Sequence, residues 1–279
     1  MANFRVKFLN STPITTIFEL IESLDITPYK SNKLTIERLK GKIKAENIDL
    51  SLSIGAFIDK KLVAIILHGN NNGKLFNALT YISPEFKDQG LINKMYDYAL
   101  PLFRRFELKK ISIEVSTSND ALIRSYRKIG FKKWRTVESV YGLLDISNLV
   151  QNEEVMIQPA SYYDFLILYA EKDILPSFEN SEYCISNMDN DIIIKKAVYN
   201  STTVGYIVYR PSETKIIQLW VKESFRRKKV GTTLVHAILS KNDHIHATNI
   251  DSQYFPLLNF CKKLGGNQID ERVEMELFL

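Results

Sequence analysis

Apolar positions along this chain switch between a period of two and a period near 3.6, and the order of the switches is nearly the same in both halves. Residues 4–9 alternate as a strand does. Ile14, Ile17, Phe18, Ile21 and Leu24 then recur at helical spacing behind Thr12-Pro13, a threonine suited to capping and a proline suited to the first helical position. Ile36, Leu39 and Ile43 predict a second helix. Residues 52–58 and 62–67 predict a hairpin around Asp59-Lys60-Lys61, and Asn70-Asn71-Asn72-Gly73 predicts a second turn into a strand over 75–82. A helix carrying Leu91, Met95, Ala99 and Leu102 follows, then a strand (111–115), a helix (119–129) and further strand (131–144).

The second half repeats much of this order. A short strand at 156–157 precedes a helix opened by Ser161, with Asp164 three residues on as in a capping box. Residues 192–199 and 204–209 form a hairpin, and Val204-Gly-Tyr-Ile matches Val63-Ala-Ile-Ile. Strands follow at 216–221, 244–249 and 273–278, with a helix at 256–264 that has Pro256 at its first turn and Gly265 at its stop. The repeat predicts two similar domains, 1–147 and 155–279, with the boundary between 145 and 158.

Aligned on Phe86 and Phe225, two segments match most closely: Leu79-Thr-Tyr-Ile-Ser-Pro-Glu-Phe-Lys-Asp-Gln-Gly and Gln218-Leu-Trp-Val-Lys-Glu-Ser-Phe-Arg-Arg-Lys-Lys-Val-Gly. Each reads as an apolar strand, a basic turn with a glycine, and the start of an amphipathic helix. Backbone N–H groups and the positive end of a helix dipole converge at such a turn, so it suits an anion. In the second turn the amides from Lys228 through Val230 to Thr232 can wrap a phosphate, Gly231 lets the backbone come close, and Arg226, Arg227, Lys228 and Lys229 add charge. In the first, Lys87, Gln89, Gly90 and Asn93 occupy similar places, while Ile92 puts a branched side chain where Gly231 stands in the second.

These motifs resemble those of the GCN5-related N-acetyltransferase (GNAT) family, whose pyrophosphate loop reads Gln/Arg-x-x-Gly-x-Gly/Ala and whose next helix follows an asparagine and reads Tyr-x-x-x-Gly-Phe. In the N-terminal half Asn119, Tyr126, Gly130 and Phe131 fit the second pattern, and Lys87, Gly90 and Ile92 fit the first less well. In the C-terminal half Arg226 and Gly231 fit the loop and Lys229 departs from it; Cys261 takes the tyrosine position and Gly265-Gly266 replaces Gly-Phe. The resemblance implies an α/β fold of the α+β kind: two tandem GNAT-like domains, each a mixed, mostly antiparallel sheet flanked by helices. It implies acetyl-CoA as co-substrate, with pantetheine laid along Tyr81-Ile82 or Trp220-Val221 as an added strand, and a tyrosine, here Tyr126, protonating the departing thiolate. The expected reaction is transfer of an acetyl group to a primary amine of a small molecule, peptide or protein. The other readings are a non-catalytic acyl-CoA sensor or scaffold, motivated by Ile92, Lys229 and Cys261, and a transferase of other acyl or aminoacyl groups.

Residues outside these motifs give weaker leads. Glu114, Glu85 and Asp251 are candidate bases, Glu114 by its place on the fifth strand. Tyr126 shares a helix face with Leu122 and Ile129, so packing explains it as well as acid catalysis does, and Asn119 reads first as a helix cap. Cys261 reads as a small packed residue, and His68, His236, His244 and His246 have no metal-ligand or triad spacing. Composition narrows the setting: 279 residues, 45% hydrophobic and 25% charged, suit two ordinary cores. A net charge of +5 spread along the chain favours anionic ligands mildly and makes no nucleic-acid footprint. Two distant cysteines, Cys184 and Cys261, argue for a reducing compartment without a disulfide or metal site, and no run approaches a membrane span. The expectation is a cytoplasmic protein without metal, nucleic-acid or membrane partners, and with no sequence signal for an oligomeric state.

Overall fold

The computed structural model describes residues 3–22, 34–145, 150–188, 191–239 and 243–279; Leu24 and the expected boundary at residue 147 lie outside them. In chain order the elements are β1 (Arg5–Phe8), α1 (Ile14–Ile21), α2 (Ile36–Ala45), β2 (Ile54–Ile58), β3 (Lys61–Asn71), β4 (Lys74–Ile82), α3 (Leu91–Arg105), β5 (Lys110–Ser116), α4 (Asp120–Ile129), β6 (Lys132–Leu143), β7 (Met156–Pro159), α5 (Tyr162–Tyr169), α6 (Glu182–Ser186), β8 (Ile193–Tyr199), β9 (Thr202–Arg210), β10 (Lys215–Val221), α7 (Val230–His236), β11 (His244–Asp251), α8 (Phe255–Lys263) and β12 (Gln268–Phe278). Two compact units result, one of residues 1–134 with 273–279 and one of residues 135–272.

In the first unit the strand order is β1-β2-β3-β4-β5-β12. Pairing is antiparallel from β1 to β4, and parallel between β4 and β5, where Lys74, Leu75 and Phe76 face Lys110, Ile111 and Ser112. The hairpins turn where side chains tolerate a left-handed backbone, at Asp59-Lys60 (φ 46° and 74°) and Asn72-Gly73 (φ 51° and 78°). Alternation along β2 and β3 feeds two cores. Ile54, Ala56, Ala64 and Ile66 pack with Met95, Tyr96, Phe103 and Tyr126 of α3 and α4. Phe57, Ile65 and Leu67 pack with Ile17, Ile21 and Leu39 of α1 and α2 on the other face. Helix α1 begins after Pro13 with no side-chain cap, and Thr12, expected to cap it, is buried instead.

The second unit has the order β6-β11-β10-β9-β8-β7. Strands β7 to β10 pair antiparallel, β10 meets β11 in parallel at Ile216 and Ala247, and β11 runs antiparallel to β6 from His244–Leu143 to Asp251–Val137. The capping box expected at Ser161 and Asp164 opens α5. The core joins Val204, Ile207 and Leu219 to Val230, Leu234, Leu258 and Cys261 of α7 and α8.

The closing strands depart from the linear division at 147 and 155. Beside β5 stands β12, the last strand of the chain, whose Val273, Met275 and Leu277 complete the first unit's core. Beside β11 stands β6, which follows α4, and its Val140 belongs to the second unit's core. A Cβ built on Gly142 of β6 would lie 2.0 Å from the carbonyl oxygen of Gly265, and one on Gly265 would lie 2.1 Å from that of Leu143. The glycines after α8 therefore admit the backbone of β6 at van der Waals contact, a reason for Gly265-Gly266 that the family pattern does not supply.

Candidate functional site

The two aligned turns have the same backbone. Asp88 and Arg227, two residues after the matched phenylalanines, are left-handed at φ 60° and 65°, and Gly90 and Lys229, two further on, at 68° and 63°. Alternating hand of this kind gathers successive N–H groups into a concavity that holds anions. Gly90 and Lys229 also start α3 and α7. A glycine takes this conformation freely, whereas a side chain costs about 1 kcal/mol there, so the second turn keeps Lys229 against local strain.

Past the short parallel pairing, β4 and β5 part in the first unit and β10 and β11 part in the second, leaving one edge of β4 and of β10 unpaired. Ser83 N–H donates to Val63 O and Lys222 N–H to Val204 O. Hydrogen-bonding direction alternates along an antiparallel strand, so Ile82 and Val221 turn their amides to the open edge while Tyr81 and Trp220 spend theirs on the neighbouring strand. Leu219 shares the outward direction with Val221. Of the four residues expected to meet pantetheine through the backbone, Ile82 and Val221 have the required orientation.

In the second unit the parting of β10 from β11 opens a cleft of about 570 Å3, lined by Leu219, Val221, Arg226, Arg227, Lys229, Val230, Gly231 and Thr232 on one side and by Tyr254, Leu257, Phe260 and Lys263 on the other. Arg227, Lys228 and Lys229 are exposed. Lys228 O accepts from Asn152 Nδ2 (3.0 Å) and Thr233 Oγ1 accepts from the Asn152 N–H (2.9 Å), which braces the turn. Arg226 points elsewhere: its Nε donates to Val221 O (3.0 Å) and its terminal nitrogen forks onto both oxygens of Asp173 (2.7 and 2.6 Å). Asp173 also accepts from the Trp220 indole N–H (2.9 Å). Burial alone would raise the Asp173 pKa, but these hydrogen bonds from Arg226 and Trp220 outweigh it and hold the carboxyl below its usual range. Asp173 thus ties Arg226 of the turn to Trp220 of β10. Gly231 faces α8, where an added Cβ would meet the Phe260 ring at 3.4 Å, an ordinary contact, so packing against α8 does not by itself require a glycine there.

The first unit is arranged differently at the same place. Its turn spans Glu85, Lys87, Asp88, Gln89 and Gly90, one cation against two acids, where the second turn sets four cations against Glu223. Ile92 is buried in the core. Tyr126, 2% exposed, packs against Tyr96 and Phe131, and its hydroxyl lies 3.1 Å from both Asn77 Nδ2 and Thr80 Oγ1 on the unpaired part of β4. Burial pushes its pKa up to about 12. Behind it, Tyr96 Oη lies 3.2 Å from Nε2 of the fully buried His68, whose Nδ1 faces Leu52 O at 2.8 Å. That carbonyl fixes the tautomer: Nδ1–H donates to it, and Tyr96 donates to Nε2. Asn119 caps α4, its Oδ1 accepting from Leu122 N–H (3.1 Å); Gln89 donates to Glu85 O, and Asn93 and Glu114 are half-buried. Tyr126 and Glu114 belong to one unit and the four-cation turn to the other, so the expected residues are not all brought together in either.

Two residues, one on the cleft wall and one bonded to Arg226 behind it, were not singled out as coenzyme or catalytic candidates. Tyr254 stands at the helix position equivalent to Asn119, with similar backbone angles (φ −88°, ψ 64° against −100°, 66°), and burial pushes its phenol up to about 12. Asp173 comes from the segment between α5 and α6, a loop without a sequence pattern of its own. Cys261 is fully buried with its thiol pushed up to about 12 by desolvation, which suits packing. Among the described residues no cluster of metal-ligating side chains occurs and no helix is long and apolar enough to cross a membrane.

The acetyltransferase (GNAT) family model matches residues 19–131 and 159–265. The chain belongs to that family, in tandem form. Solved structures share the fold at low identity. A GCN5-related N-acetyltransferase from Sphaerobacter thermophilus is 13% identical with a TM-score of 0.72, over 100% of this chain and 97% of that one. A tandem GNAT protein from the clavulanic acid biosynthesis pathway is 10% identical with a TM-score of 0.66, over 99% and 98%. A GCN5-related N-acetyltransferase from Kribbella flavida is 15% identical with a TM-score of 0.62, over 99% and 71%. No curated protein matches the chain in sequence.

Proposed function

We propose that the second unit binds acetyl-CoA and supports transfer of the acetyl group to a primary amine of a small molecule, peptide or protein. One observation carries this reading: the 570 Å3 cleft joins an unpaired strand edge to a braced turn with three exposed cations. The donor set fits the coenzyme. Outward amides of Leu219 and Val221 suit the carbonyls of pantetheine, while Arg227, Lys229 and Lys263 on the cleft wall suit its phosphates, with Lys228 exposed on the same turn. When bound, the coenzyme supplies an acetyl thioester already activated toward amines. Asp173 holds Arg226 and Trp220 in place, which keeps the strand edge and the turn in fixed register. Tyr254 carries a phenolic proton through neutral pH on the cleft wall and is the second unit's candidate for the acid, where the first unit has Tyr126. On this reading Tyr126 and Glu114 act as acid and base only if the first unit also takes coenzyme. Both cysteines are buried and neither is in a disulfide, which suits the cytoplasm.

Calorimetry with acetyl-CoA, joined to thiol release over an amine panel, tests the proposal. Binding with turnover supports it, and replacing Arg227, Lys228 and Lys229 together by alanine is expected to abolish most of the affinity. Binding with no turnover on any amine favours a sensor or scaffold. Affinity unchanged in the triple variant would remove the coenzyme from this cleft.

A further inference from the structure

A second, narrower pocket adjoins the cleft in the second unit. It holds about 40 Å3 between the parted strands, and Leu219, Tyr254 and Leu257 line both spaces. Such a volume admits about three water-sized groups, so it suits one functional group on a slim stem. Its wall is rigid. Arg135 donates to Leu175 O (2.6 Å) and Pro176 O (3.2 Å) and pairs with Asp251 (3.2 Å), pinning the segment before α6 to the end of β11.

Asn180, 3% exposed, lines this pocket. Its Nδ2 donates to Thr248 O at 2.7 Å, and its own carbonyl accepts from Gln218 Nε2. The bond to a carbonyl fixes the orientation of the side-chain amide, since only the NH2 end can donate there. Its Oδ1 is then a buried acceptor with no donor among the described residues. Leaving such an atom unpaired is costly, so its presence beside a substrate cleft points to a donor brought in from outside. The neighbouring charges are compensated within the protein. Asp251 pairs with Arg135, and Glu179 pairs with Lys215 and accepts from Thr248 and Asn249. What remains is a neutral pocket offering acceptors, which suits N–H donors and rejects carboxylates and phosphates.

We infer that this pocket receives the terminal amino group of the acceptor, that Asn180 Oδ1 accepts one of its N–H bonds, and that the enzyme selects slender, unbranched primary amines. The inference rests on the acyl-transfer reading of the second unit and adds its acceptor class and a specificity-determining residue. Asn180 anchors one N–H, so the nitrogen lone pair is oriented by the protein rather than by solvent.

The test uses the full-length protein with n-propylamine and isopropylamine. Turnover with n-propylamine is expected to exceed that with the branched amine about tenfold. Asn180→Leu is expected to raise the KM for n-propylamine about tenfold while changing the acetyl-CoA Kd less than twofold. Coenzyme bound normally with an unchanged KM in Asn180→Leu, or equal use of both amines, overturns the inference and leaves the parent reading intact. Loss of coenzyme binding by the unaltered protein sinks the parent reading instead. A readout without turnover decides the pocket in either case, and also if Asn180→Leu does not fold. The side-chain amide resonance of Asn180 is expected to shift saturably with n-propylamine, and a resonance that stays still, as for a site filled by water alone, refutes the assignment.

Discussion

The parting of β4 from β5 and the parting of β10 from β11 are the same backbone event carried out with different side chains. Both lead into turns with left-handed residues at matching places. In the first unit the turn sets one cation against two acids, and the strand beyond it is tied by Asn77 and Thr80 to Tyr126 in a polar core that runs back to His68. In the second the turn carries four cations, one of them turned inward to Asp173, and the space beyond the strand stays open. A repeated fold thus copies the platform but not the side chains set around it. The copy with the better helix motif has its tyrosine engaged internally, and the copy with the degenerate helix motif has the cleft.

This contrast can be broken experimentally, beginning with acid. His68 in the first unit and His246 in the second are both lowered from 6.5 to about 4, chiefly by burial. The unfolded chain binds protons on these groups between pH 6.5 and 4 and the folded one does not, so stability is complete above 6.5 and falls as the pH drops through that window. For His68 the loss is on the order of 3 kcal/mol. Denaturant midpoints at pH 7 and pH 5 should show about 2 kcal/mol of it, the part of the window crossed by pH 5. His68→Gln should remove the first unit's share, read by hydrogen exchange in α3, and an undiminished acid loss there would show that His68 is not its source.

Next in size is charge. Replacing Arg227, Lys228 and Lys229 by alanine should weaken acetyl-CoA binding on the order of 100-fold in Kd, whereas Lys87→Ala should change it less than about threefold. The reverse ranking by calorimetry would move the coenzyme to the first unit. Tyr126→Phe then separates packing from catalysis: it should cost about 1–2 kcal/mol of stability, because Asn77 and Thr80 lose a buried partner, and leave turnover unchanged. A fall in turnover without a fall in stability would make Tyr126 the acid. The smallest effect is conformational. Lys229→Gly should stabilise by about 1 kcal/mol and Gly90→Lys should destabilise by a similar amount, since both positions are left-handed. Equal and negligible changes in thermal melting would show that the turns are not strained as drawn.

Much of this molecule was legible beforehand, for local reasons. The capping box at Ser161 and Asp164, the cap at Asn119 and the left-handed stop at Gly130 each depend on residues within one helical turn. The likeness of the two turns was legible because both are short and matched in spacing. Their difference in charge could have been read as well by counting Glu85 and Asp88 against Lys87. Asp173 and Asn180 were not singled out for these roles, because each acquires its role from partners on other elements, Arg226 and Trp220 for the first and the Thr248 carbonyl for the second, and Tyr254 was missed because it stands where the family pattern has an asparagine.

The amino-acid order by itself determined the kinds of element, their succession, the repeat and the chemistry of the two turns, since hydrophobic period, capping and charge act over a few residues. Tertiary structure alone decided which strand each closing strand stands beside, β12 next to β5 and β6 next to β11. Strands β6 and β12 both alternate and both follow a helix that ends at a glycine, and alternation orients a strand's faces without choosing its neighbour. That choice came from cores and close approaches far apart in sequence, Met275 and Leu277 against the first unit's core and Gly142 against Gly265 in the second.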